Sequence, residues 1–240
     1  MKKYFTLLNR FFTLPLILKD WLKFRHINDK RFPVLIRDIV PYLQDKTTTT
    51  EFDLHYIYHP AWAARVIAKI RPLEHVDISS SLSFSTIVSA FVPVKFYDFR
   101  PANLDLTGLT CNRADLNTLP FPSESIESLS CLHTIEHIGL GRYGDDLDPG
   151  GDLKAIKELQ RVVKNGGHLL IAVPIGQPKL RFNAHRVYSY EQIISYFSAM
   201  ELEEFSLISE REKRIIYQAD PKLCDQEKYG CGCFWFKKKI

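Results

Sequence analysis

From residue 74 onward the sequence alternates short apolar runs with amphipathic ones: EHVDI, STIVSAFV, VKFYDF, LTCNRADL, ESLSCL, DLKAIKELQRVVKNGG, HLLIAVPIG and YSYEQIISYFSAM. Read by periodicity, these are strands and helices in turn. Strands joined in this way pack as a doubly wound, mostly parallel α/β sheet with helices on both faces. ELEEFSLIS and CGCFWFKKK then close the chain as two strands with no long helix between them, so the last is expected to insert antiparallel. The glycines of KNGG are expected to cap the preceding helix. Upstream, in EFDLHYIYHPAWAARVIAKIRP, Pro60 suits a first helical position and predicts a helix over 61–70.

At 240 residues, 45% hydrophobic and 25% charged, the chain suffices for one such domain with a decorated end. The Thr47–Thr50 run divides it into a basic helical N-terminal extension, residues 1–50, and the α/β domain, residues 51–240. Residues 1–31 carry eight Lys and Arg against Asp20 and Asp29. Since the whole chain is only +4, the basic excess is terminal and no nucleic-acid groove is expected. Arg10 splits the apolar part of MKKYFTLLNRFFTLPLILKDW, and no small-residue cleavage site follows it, which argues against a signal peptide. The segment is too short in apolar residues to span a bilayer. It reads as a helix packed on its own domain or lying on an anionic membrane surface. Five cysteines, an odd number, point to reduced thiols and a cytoplasmic location, with the basic helix compatible with peripheral attachment to the inner face of the membrane. Cys224, Cys231 and Cys233 lack a nearby fourth ligand, so no metal site is assigned. The oligomeric state is not legible.

Ligands of doubly wound sheets bind beyond the carboxyl ends of the strands. The residues there are Asp77 to Ser81, Asp98, Asp115, and His133 to His137. Asp98 lies 21 residues beyond Asp77, a spacing at which a carboxylate can accept the hydroxyls of a ribose. In place of GxGxxG stand Ser79, Ser81 and Phe84, which disfavours a pyrophosphate dinucleotide and asks for a cofactor without phosphates. The loop is expected to hold Ser79 at negative φ, with its hydroxyl or amide toward that cofactor.

HVDISSS, YDFRP, RADLNTLPF, SLSCLHTIEHIGLGRYGD, LQRVVKNGGHLLIAVPIG and FNAHRVYS together resemble class I S-adenosylmethionine-dependent methyltransferases. More narrowly, IEHIGLGRYGD and NAHRVYS resemble a bacterial branch often associated with surface-polysaccharide gene clusters. The resemblance covers residues 52–240. It implies a seven-stranded Rossmann-like sheet with one antiparallel strand, and S-adenosyl-L-methionine as cofactor. It further implies that Asp77, Ser79, Ser80 and Ser81 border the methionine part, that Asp98 binds the ribose, and that Asp115 with the Leu116 amide binds the adenine.

Methyl transfer to a hydroxyl needs an aligned nucleophile and a group that removes its proton. His133, Glu136 and His137 are the candidate catalytic residues, His133 foremost as the first residue past its strand. Arg142, Tyr143, Asp145, His185 and Arg186 are candidates for holding a sugar, glycan or other small polar acceptor. Two other readings stand beside this one. The serine loop suits a non-catalytic interaction protein of the same fold. HTIEH, residues 133–137, spells HxxEH, a metal-dependent hydrolase signature when it lies inside a long helix; the glycines that follow argue against such a helix.

Overall fold

The computed structural model describes residues 2–42 and 45–240, with side chains from residue 15 onward. The chain divides into two compact units, Met1–Phe52 and Asp53–Ile240. The first contains α1 (Lys2–Ile27) and a 3-10 turn at Ile36–Asp38. Which side chains of residues 2–14 could meet a membrane lies outside the described residues. No described helix is long and apolar enough to cross one.

The second unit runs α2 (Leu54–Ile70), β1 (His75–Ile78), α3 (Leu82–Val88), β2 (Val94–Asp98), β3 (Leu109–Arg113) and β4 (Ile126–Leu132). It continues with α4 (Gly151–Val162), β5 (Val163–Ile175), β6 (Lys179–Arg181), β7 (His185–Val187), α5 (Tyr190–Tyr196), β8 (Met200–Ser209), β9 (Arg214–Ile216) and β10 (Gly230–Lys238). The main sheet has the order β3-β2-β1-β4-β5-β10-β8-β9, and β6 pairs with β7 in a separate hairpin. β10 inserts between β5 and β8, antiparallel to both, as the two closing apolar runs foretold. The sheet has eight strands instead of seven, two of them antiparallel instead of one. The additional strand is β9, three residues that turn back along β8. Its RII, directly after the charged run 210–213, is too short to show a period.

The apolar runs are buried on both faces of this sheet, and period 2 sorts their side chains. Leu169, Ile171, Val173, Phe234 and Phe236 enter one core with Ile156 and Leu159 of α4. Leu170, Ala172, Cys231, Cys233 and Trp235 enter the other with Trp62, Val66 and Ile67 of α2 and Phe84 of α3. Two local expectations fail. Helix α2 starts at Leu54, because Asp53 caps it by accepting from the Tyr56 amide at 3.0 Å; Pro60 lies inside the helix and merely leaves one carbonyl without its amide. The KNGG glycines cap nothing. Helix α4 ends at Val162 and β5 begins at the next residue. Gly166 bends the strand at φ +74°, and a Cβ on Gly167 would meet the Lys164 and Ile126 carbonyls at 2.8 and 3.0 Å.

Candidate active site

Asp77 is fully buried in β1 and lines neither of the two cavities described below. Its Oδ1 accepts from Ser80 Oγ at 2.6 Å and Ser130 Oγ at 2.5 Å, and its Oδ2 from Ser85 Oγ at 2.5 Å. Ser80 in turn accepts the Leu132 amide at 2.9 Å. Ser130 lies 2.9 Å from His75 Nε2, and Ser128 lies 2.8 Å from Nδ1. Because Ser130 spends its proton on Asp77, His75 carries its proton on Nε2. Burial lowers the His75 pKa to about 3, so the ring is neutral. Burial also raises Asp77 to about 6, against the three hydroxyls that favour its charge. This chain of polar groups ties β1 to β4. Both oxygens of the Asp77 carboxylate and the Ser80 hydroxyl are thus engaged within the scaffold, and neither residue lines the cavities beyond the strand ends. Ser81 caps α3 by accepting the Phe84 amide at 3.4 Å and likewise lies outside the cavity lining.

Beyond the carboxyl ends of β1 to β4 opens a cavity of ≈ 740 Å³. Ser79, Asp98, Asp115, Leu116 and Asn117 line one side, and His133, His137 and Tyr143 line the other. Asp98 Oδ1 accepts the Arg100 amide at 2.7 Å, and Asp115 Oδ1 the Asn117 amide at 2.8 Å. Asn117 Oδ1 is buried with no partner. A buried acceptor in a cavity wall calls for a donor from a ligand, and an exocyclic amine beside Asp115 would supply one.

Ser79 has φ +56°, in the left-handed region and not at the expected negative φ. Its amide donates to the Tyr97 carbonyl at 2.7 Å and its carbonyl accepts Thr134 Oγ1 at 2.8 Å. Its hydroxyl reaches the Tyr97 carbonyl only at 3.4 Å. The loop thus keeps a glycine's backbone with a serine in it. For Ser79→Gly, relief of about 1–2 kcal/mol of left-handed strain outweighs roughly 0.5–1 kcal/mol of added unfolded-state freedom. The variant is expected to be equally stable or up to about 1 kcal/mol more stable in urea titrations, with unchanged ligand affinity. A clear loss of either would show that the hydroxyl carries a contact.

A second cavity of ≈ 460 Å³ shares His133 and His137 with the first. Its remaining walls include His55 and Tyr56 from α2, Arg142, His185, Glu210 and Tyr229. Of the proposed acceptor residues, Arg142 and His185 are here, whereas Tyr143 and Asp145 lie on the larger cavity. The Asp145 carboxylate holds the glycine loop, accepting the Gly139, Gly141 and Tyr143 amides at 2.8, 3.3 and 3.1 Å. Arg186 lines neither cavity. It pairs with Asp152 at 3.4 Å and donates to the Ile138 and Pro149 carbonyls at 2.7 and 3.2 Å.

His133 follows β4 directly and has φ +56°, a strained backbone of the kind that collects at functional sites. Its Nδ1 is 2.8 Å from Glu136 Oε1, and His137 Nε2 is 3.8 Å from the same oxygen. Burial opposes a charge on His133, but the Cys231 sulfur and the Glu136 carboxylate raise its pKa to about 10. Burial also keeps the Cys231 thiol protonated, so the carboxylate is the anion that holds the proton. Burial would raise Glu136, yet His133 and His137 bring it below the usual range. His137 is different: burial lowers its pKa despite Glu136. Its Nδ1 lies 2.6 Å from the Ala184 carbonyl, which only accepts, so Nδ1 carries the proton and Nε2 keeps the lone pair.

HTIEH sits in a 3-10 turn, Ile135–His137, instead of a long helix. Its two histidines therefore bracket Glu136 and do not form a helical ligand pair. Sequence reasoning missed His55, His59, Glu210 and Tyr229. His55 and His59 stand four apart, one helical turn, and the Asp53 cap that places them in a helix was the available signal. Glu210 and Tyr229 sit in loops and carry none.

Residues 122–227 match the protein family described as "Caenorhabditis protein of unknown function, DUF268". No curated protein matches the sequence. Among solved structures, the Burkholderia thailandensis 1,6-didemethyltoxoflavin-N1-methyltransferase, bound to 1,6-didemethyltoxoflavin and S-adenosylhomocysteine, is similar with TM-score 0.55 and 8% identity, over 76% of this chain and 79% of that one. The N-methyltransferase NodS of Bradyrhizobium japonicum, in complex with S-adenosylhomocysteine, gives 0.53 and 12%, over 75% and 86%. The [4+2]-cyclase SpnF gives 0.51 and 14%, over 75% and 82%. The chain shares the fold of these proteins, two of which are methyltransferases bound to S-adenosylhomocysteine.

Proposed function

We propose that this chain is an S-adenosylmethionine-dependent methyltransferase acting on a hydroxyl of a sugar, glycan or similar small polar acceptor. One observation carries the reading: two cavities, one lined by the strand-end carboxylates and one by polar side chains, meet at His133 and His137. Asp98, Asp115, Asn117 and the Leu116 backbone would hold the cofactor's ribose and adenine. When bound, that cofactor supplies a methyl group on a sulfonium, open to in-line displacement. The smaller cavity offers Arg142, Tyr56, Tyr229 and Glu210 as donors and acceptors for hydroxyls.

His137 is the better placed of the histidines to take the acceptor's proton. It lines both cavities, its lone pair is on Nε2, and its lowered pKa leaves it neutral near pH 7. His133, paired with Glu136, is protonated and orients the junction. A role in polysaccharide biosynthesis, with a cytoplasmic site of action, fits such an acceptor. The competing reading, a non-catalytic interaction protein, is the one for which the serine loop spoke, and the retained backbone of Ser79 weakens it.

Calorimetry separates the two. We expect the full chain to bind S-adenosylmethionine and S-adenosylhomocysteine and to ignore NAD. A folded sample indifferent to all three would overturn the enzyme.

A further inference from the structure

We infer that His55, His133 and Cys231 form a site for a divalent transition metal, zinc by chemistry, at the floor of the smaller cavity. One ligand atom from each of these buried residues lies within 4.8 Å of the others. The fold brings them from three places: helix α2 lies over the sheet face that carries Cys231, and His133 leaves β4 beside it.

The second observation is what these groups lack. His55 Nε2 and His133 Nε2 are buried without a hydrogen-bond partner. So are both ring nitrogens of His59, whose ring centroid is 5.0 Å from that of His133. Polar atoms so placed are rare in folded proteins: the Glu210 carboxylate, 3.8 Å from His55 Nε2, is too far for a hydrogen bond, and the Cys231 sulfur beside His133 is itself a candidate ligand. Behind His133, Glu136 Oε1 approaches Nδ1 at 2.8 Å. A carboxylate in that position backs metal-bound histidines, fixing the ring so that Nε2 faces the ion.

Two imidazoles and a thiolate select zinc over magnesium or calcium, which prefer oxygen. Bonds of roughly 2.0–2.3 Å ask ligand atoms to stand roughly 3.4–3.6 Å apart in a tetrahedral site, a contraction within the reach of side-chain rotation. Coordination would take the thiol proton from Cys231 and the Nε2 proton from the charged His133, releasing both to solvent while Nδ1 keeps its proton toward Glu136. Both His55 and His133 border the cavity, so a fourth position is open either to His59 or to an acceptor oxygen. The site is not the one HTIEH suggests, because His137 takes no part. Nor does it rest on the methyltransferase reading, although an ion here would sit where the acceptor hydroxyl must lose its proton.

The test uses the full chain, stripped with a chelator and refilled with zinc or cobalt(II). We expect about one equivalent of zinc by elemental analysis after buffer exchange. Cobalt(II) should give a thiolate-to-metal charge-transfer band and tetrahedral visible bands. Cys231→Ser should abolish the charge-transfer band, His55→Gln should lower metal affinity at least tenfold, and Cys111→Ser, on β3, should change neither. Folding of each variant is checked by circular dichroism, and the wild-type cobalt spectrum decides the matter should a variant unfold. Absence of stoichiometric metal in folded wild type, or a cobalt spectrum without thiolate, would overturn the site. S-adenosylmethionine binding measured on the same zinc-free and zinc-loaded samples keeps failure of the metal site distinct from failure of the enzyme reading.

Discussion

Asp77→Ala is expected to destabilise the folded domain by about 3 kcal/mol, because it strips the acceptor from three buried hydroxyls at once. Those of Ser80, Ser85 and Ser130 all end on this carboxylate, and the network they form ties β1 to β4. Asp77→Asn should behave differently. Oδ1 can keep Ser80 and Ser130, while the new amide faces Ser85, whose hydroxyl can turn to accept.

The pair also exposes a pH effect. The folded pKa of Asp77, about 6, lies above its ordinary 3.8 because burial disfavours the charge. The folded state therefore binds the proton more tightly than the unfolded one. This group's stabilisation is complete below the unfolded value and is lost as pH rises through about 6. The full swing is about 3 kcal/mol, of which on the order of 1 kcal/mol should be gained between neutral pH and pH 5. Urea titrations across that range should show this gain for wild type relative to Asp77→Asn. Parallel pH profiles would mean that Asp77 is charged or neutral throughout.

Asp98→Ala is expected to weaken S-adenosylmethionine binding by about 1–3 kcal/mol, roughly 5- to 150-fold, while leaving stability nearly unchanged. Asp98 ends β2 on the wall of the larger cavity. Its Oδ1 takes only the Arg100 amide, which leaves Oδ2 without a hydrogen bond among the described residues. A ribose there would offer two hydroxyls to a charged acceptor. Calorimetry at one ionic strength measures the change. An unaltered dissociation constant would place the cofactor elsewhere and remove the main support for the larger cavity as its site.

The serine loop shows how far such positions can be read. That Ser79 stands at a strand end followed from the apolar run HVDI; that its φ is +56° did not. Asp77, Ser80 and Ser81 belong to the same seven-residue stretch, yet the first two are buried scaffold and the third a helix cap. The side-chain directions of Asp77 and Ser80 depend on Ser130 and Leu132, 53 and 52 residues away in sequence. Arg186 was drawn to the site by its neighbour His185, but the two project differently because adjacent strand residues face opposite sides.

What the sequence determined by itself is the sheet. Apolar runs such as HLLIAVPI, bounded by amphipathic helices, bury both faces of a strand, and that pattern is written in residues one or two apart. The antiparallel insertion of CGCFWFKKK followed from the same local signal. The tertiary structure alone decided the junction of the two cavities. His55, His133 and Cys231 are separated by 78 and 98 residues, and they meet only because α2 covers the face of β10 on which every second residue points. Local periods say which face a side chain takes; which distant face it then meets is set by how whole elements pack, and no short-range pattern records that.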